Sequence, residues 1–346
     1  MNPRRYHPLK ELIFLRTKEF FREPEAIFWV YVFPILLMVG LGMAFRGSRD
    51  TWRVAVVAGP GAEEARQAFA TGSGFEATVL PLEEARARSA NGEVDLILDA
   101  RGGELQYLFD PARVDSRAAR LKANDVLQAQ AGRSDPRPVA DVHLAEPGSR
   151  YIDWLIPGLI GMNIMGGGLW GLGFITVDLR MRKLLKRFVA TPMRRSDFLL
   201  SLMVSRLLFL IPEVVAILLA GRLIFGLEVK GSLLSVAAVA LLGAACFSGI
   251  GLLIGSRTSK IETISGLLNL IMLPMWIFSG TFFSARRFPD PIQPFVQALP
   301  LTQLNNALRA VILEGTSASS QWLPALVLGT CGALAFAGAL RWFRWL

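Results

Sequence analysis

The 346-residue chain is 52% hydrophobic, with mean hydropathy +0.42, net charge +9 and a pI near 10.1. Apolar runs long enough to cross a bilayer exclude an ordinary soluble domain and point to an integral membrane protein. The basic residues sit at the flanks of those runs, a topological signature rather than a nucleic-acid surface, so no nucleic-acid partner is expected. Cys246 and Cys331 lie inside apolar runs and read as small buried hydrophobes, and His7 and His143 stand far apart, so no metal site is expected.

Residues 1–25 are basic and amphipathic, with Leu9, Leu12, Ile13 and Phe20 able to share one face. They read as an elbow helix lying on the inner leaflet and contacting membrane lipids, ended by Pro24. Residues 26–45 form a first span of about 30 Å, kinked at Pro34, and too long for a cleaved leader. A span tolerates such a kink when a neighbour satisfies the carbonyl that proline leaves without a donor.

Residues 46–151 change character: short β-branched and apolar runs alternate with amphipathic helical stretches. They are expected to form an extracytoplasmic α+β domain of about a hundred residues with its own core. The stretch contains no glycine-rich phosphate loop, metal cluster or nucleophile–base pair. The predicted fold class is therefore a polytopic α-helical membrane protein of six spans, with a domain inserted between the first and second.

The second span, 152–177, has glycines at 158, 161, 166, 167, 168, 171 and 173, which suit close helix packing better than pore lining. Asn163 in mid-span needs a hydrogen-bond partner in either case. Residues 178–197 then form a short loop with seven Lys/Arg, which the positive-inside rule places in the cytoplasm. Leu184, Leu185 and Phe188 among Lys183, Lys186 and Arg187 read as two turns of amphipathic helix ahead of Thr191-Pro192. Its apolar residues call for burial in the headgroup layer or in a cytosolic protein.

The third span, 198–225, carries Arg206, Glu213 and Arg222. The two arginines are placed to snorkel toward the membrane faces, whereas Glu213 is deep. Glu213 lies on the face of Arg206, about 10 Å further along the axis. It either pairs across helices or lines a polar path, and the sequence leaves both open. Residues 233–255, 264–283 and 322–340 form the remaining spans, with Asn269 and Phe278 on the fifth. The proline-rich stretch 284–320 is too apolar for a free loop and is expected to re-enter from the outer face. Both termini are then cytoplasmic, in a cell inner membrane.

Three stretches, KEFFREPEAIF, RKLLKRFVATPMRRSDFLLSLMVSRL and LPMWIFSGTFFSARRFPDPIQPFVQALPLTQLNNALRAVILEG, resemble in order those of ABC-2 type transporter permeases. The resemblance covers essentially the whole chain, although Met181-Arg182-Lys183 stands where many relatives carry Glu-x-Gly-Thr. It implies a non-catalytic export subunit that pairs with a second permease, as a homodimer or heterodimer, and with a separate ABC ATPase that binds ATP and Mg. Lys183, Leu184, Leu185, Lys186, Arg187, Phe188, Arg194 and Arg195 would then form the ATPase-coupling segment. Asn163, Glu213, Asn269 and Phe278 are candidates for the translocation path. The chain has no G-x-x-x-x-G-K-[ST], so it has no P-loop of its own with which to hold ATP. The competing expectation is a membrane sensor or assembly protein whose inserted domain binds a ligand and whose basic loop recruits a cytosolic effector. An intramembrane enzyme fits poorly, because no HExxH or nucleophile–base arrangement is present.

Overall fold

The computed structural model describes residues 8–45, 51–71, 74–101, 104–133, 150–189 and 195–343. For Arg187, Phe188 and Arg195 it describes the backbone alone. Two compact units emerge, residues 47–144 and the remainder of the chain.

The inserted unit is built on four strands: β1 (Trp52–Val57), β2 (Phe75–Leu80), β3 (Leu96–Asp99) and β4 (Gln106–Leu108). Their order is β2-β1-β3-β4, with β1 parallel to both β2 and β3 and β4 antiparallel to β3. Central β1 reads as a continuous apolar run because both of its faces are covered. Val54, Val56, Leu96 and Leu98 pack beneath helices Ala62–Thr71 and Val114–Gln130. Ala55, Val57 and Ile97 pack with Ala85 of helix Leu82–Ala90 in a separate cluster. The insert is therefore a mixed sheet with helices on both faces and mostly parallel pairing, an α/β arrangement where the sequence suggested α+β.

The larger unit is helical. Among the described residues, six helices are long and apolar enough to cross a membrane: Pro24–Ala44, Tyr151–Met181, Phe198–Phe225, Leu233–Arg257, Ile261–Phe278 and Trp322–Trp342. The chain is a polytopic helical membrane protein. The second, fourth and sixth spans meet backbone to backbone. A methyl group added at Gly251 would stand 2.5 Å from the Gly168 carbonyl oxygen, and one at Gly255 would stand 2.8 Å from that of Gly173. A methyl at Gly249 would likewise stand 2.8 Å from the Gly332 carbonyl oxygen. Only residues without a Cβ permit these approaches, and close van der Waals packing replaces the hydrophobic drive that lipid cannot supply.

Two spans contain a π-helical turn, Phe28–Val32 in the first and Leu169–Phe174 in the second. Between the fifth and sixth spans, helix Pro300–Glu314 is mostly buried within this unit and ends at Gly315, whose φ of 74° gives a left-handed cap. That burial accounts for the apolar character of the segment.

Candidate functional site

The basic loop starts where the second span ends. Lys183 adopts φ 57°, an uncommon left-handed conformation for a residue with a side chain, and so redirects the backbone between the span and helix Leu184–Val189. Lys183 and Lys186 are exposed and Leu184 is half-buried. Leu185 is only 1% exposed and packs with Leu179, Phe198, Leu202, Leu252, Ala339 and Phe343 of the same chain. Its side chain faces inward instead of standing free for a partner, a change from the sequence expectation. Adjacent leucines point about 100° apart on a helix, so one seats the short helix while the other stays near the surface. Arg194 lies outside the described residues, as do the side chains of Arg187, Phe188 and Arg195.

Just before this helix, the Arg180 guanidinium donates to the carbonyls of Gly255 (2.9 Å), Ser256 (2.8 Å) and Thr258. It also lies 5.4 Å from the ring centroid of Phe343. These carbonyls belong to the end of the fourth span, where a helix leaves acceptors without intrahelical donors and carries partial negative charge.

Within the bundle, Asn163 donates from Nδ2 to the Val30 carbonyl at 2.8 Å. Val30 is four residues before Pro34, which has no N–H to offer it. The asparagine thus supplies the donor that the proline withholds, and the π-helical turn sits at the same place.

The ion pair on the third span is intrahelical. Arg206 Nη1 and Nη2 reach Glu213 Oε2 and Oε1 at 2.7 and 3.2 Å, with the residues 7% and 1% exposed. Arg206 therefore does not snorkel, contrary to the sequence expectation. Its charge is neutralised along its own helix, across Pro212, because two long side chains together bridge the interval. Gly167 of the second span faces the guanidinium so closely that a methyl group there would overlap it. Tyr31 of the first span lies within electrostatic reach of both charges.

The four candidate path residues do not converge on one site, and three of them have partners of their own. Asn163 holds Val30, and Glu213 holds Arg206. Asn269 is exposed on the fifth span. Phe278 packs against Phe288 and Phe295 of the following segment, with centroids 5.0 and 6.4 Å away.

Sequence reasoning passed over Arg309, which is 5% exposed on helix Pro300–Glu314. Its guanidinium lies 3.5 Å from the Trp154 ring centroid and donates to the carbonyls of Trp154 and Gly280. One helical turn earlier, Asn305 donates to Ser279 O and Thr281 Oγ1 at 3.0 and 3.2 Å. Together they fasten the turn after the fifth span to helix Pro300–Glu314. A cation inside an apolar helical stretch was the available signal.

In the inserted unit, Arg101 beside Asp99 holds that carboxyl well below the usual carboxylate range, at about 2. Buried Asp95 accepts from the Arg53 backbone N–H at 3.1 Å and pairs with Arg113.

Six apolar spans among the described residues, one carrying a buried Arg206–Glu213 pair, and a short basic helix after the second of them define a polytopic membrane protein. Residues 24–341 match the family described as ABC-2 family transporter protein, and the chain belongs to that family. It is also 24% identical, over 226 residues, to ABC transporter G family member 20 of Dictyostelium discoideum. That match takes in 65% of this chain and 30% of the relative, so the chain spans under a third of the relative's length.

Proposed function

We propose that the chain is the membrane-spanning half of an ABC-2 exporter and is driven by an ATPase carried on a separate polypeptide. Family membership over residues 24–341 supports the class most directly. The exposed Lys186 on the short helix and Lys183 just before it support a docking role for the 178–197 loop, whose charge favours the cytoplasmic side. In this reading the partner contacts the outward basic face of the helix, while Leu185 transmits its displacement to the chain's own core. The chain itself performs no chemistry.

The exposed Asn269 supports a second permease copy against the fifth span, since an amide facing hydrocarbon is unfavourable without a partner. The inserted α/β unit then lies on the extracytoplasmic side.

The test is affinity purification of the full chain from its native membrane, followed by ATPase assays in nanodiscs. A nucleotide-hydrolysing subunit is expected to co-purify, and Lys186→Glu is expected to weaken its association. Absence of any such subunit from the intact complex would sink the proposal.

A further inference from the structure

We infer that Arg180 is a positioning residue that makes the basic end of the second span, the end of the fourth and the foot of the sixth move as one body. This rests on the proposed function for its role in transport, but the clasp itself rests on geometry alone. A single guanidinium donates to three carbonyls around the end of Leu233–Arg257 while lying beside the Phe343 ring that follows the sixth span. The planar fork of an arginine matches such a set of acceptors, whereas a lysine ammonium offers only a compact point charge.

Two further observations place this clasp at a junction. Leu185 of the short helix is buried with Leu179, Leu252, Ala339 and Phe343, so the docking helix is seated on the same three feet, and Phe198 and Leu202 at the start of the third span join that cluster. Deeper in the bundle, the Gly168–Gly251, Gly173–Gly255 and Gly249–Gly332 approaches leave no slack between these spans. The fifth span lacks this continuity: methyl groups at its Gly266 would meet nothing within 4 Å, and Leu270 is 68% exposed. Force applied to the short helix therefore passes into the second, fourth and sixth spans together, and the fifth is the element against which they shift.

The experiment uses spin labels on the full chain in lipid nanodiscs, with Cys246 and Cys331 replaced by alanine. Labels at Met181→Cys and Leu340→Cys report the clasped pair, and labels at Leu270→Cys and Leu340→Cys report the fifth span. Both pairs use residues exposed by more than two-fifths. In the chain alone, the 181–340 distance is expected to be a single narrow peak. Arg180→Ala is expected to lose that narrow peak, and Arg180→Lys to broaden it less while keeping the charge. An unchanged peak in Arg180→Ala overturns the inference.

In the assembled complex, trapping with ATP and vanadate is expected to shift the 270–340 distance and leave 181–340 in place. In Arg180→Ala, 181–340 should shift as well. A nucleotide-driven shift of 181–340 in the otherwise unaltered protein also overturns it. Should no ATPase assemble with the chain, the proposed function fails, and the chain-alone arm still decides the clasp.

Discussion

Glu213 and Arg206 are the residues whose removal should be felt most. Taking away one partner of a buried pair leaves an uncompensated charge and destabilises by about 3–5 kcal/mol, whereas replacing both with apolar residues is far milder. Glu213→Gln is therefore expected to lower the thermal midpoint in detergent sharply, and Arg206→Met combined with Glu213→Leu to recover most of the loss. If the double variant is as unstable as the sum of the singles, the pair is not a closed unit. Asn163→Ala should cost about 1–2 kcal/mol by leaving the Val30 carbonyl without its donor. Adding Pro34→Ala returns a backbone N–H to that turn, so the two changes together should be less damaging than their sum. Additive losses in chemical denaturation would argue against this compensation.

In the inserted unit, Asp99 has a folded-state value near 2, below its ordinary range near 4. A depressed carboxylate stabilises above its unfolded pKa and loses that contribution as pH falls from about 4 to about 2. Arg101→Gln should raise the Asp99 value and move acid-induced loss of protease resistance in this unit to higher pH. No movement on titration would show that the pair contributes nothing, as exposed pairs often do.

At the scale of elements, the glycines separate into two groups. Gly251→Ala and Gly255→Ala push a methyl into the neighbouring backbone, which has no flexible side chain to yield. Each is expected to destabilise by about 1–3 kcal/mol, the usual range for overpacking. Gly40→Ala and Gly329→Ala meet open space and should be neutral or slightly stabilising through helix propensity. Equal thermal midpoints for the two groups would contradict the backbone contacts between the second, fourth and sixth spans. The glycine-rich composition of the second span was plain in the sequence, and helix packing was the expected use. Which glycines face a helix and which face Arg206 was not readable, because that depends on residues 39 positions away or more.

For the whole molecule, the exposed fifth-span face containing Gly266, Asn269, Leu270 and Leu273 is expected to meet a second copy. Asn269→Cys in a background without native cysteines should cross-link between copies in native membranes, as read by a doubled mass on denaturing gels. Labelling of that thiol by a lipid-borne reagent with no cross-linked species would place the face against lipid instead.

Hydrophobic run lengths alone determined six spans, and the strand–helix alternation alone determined an inserted sheet domain, because both periodicities are local properties of the chain. The three stretches 18–28, 182–207 and 273–315, taken together and in order, carried the resemblance to the family that the chain belongs to. Tertiary structure decided how the polar residues are used: Asn163 on Val30, Arg206 along its own helix, Arg309 on Trp154, and Leu185 turned into its own core. The reason is physical. A buried polar group takes whichever partner the packed backbone brings within about 3 Å, and that choice lies with contacts far apart in sequence.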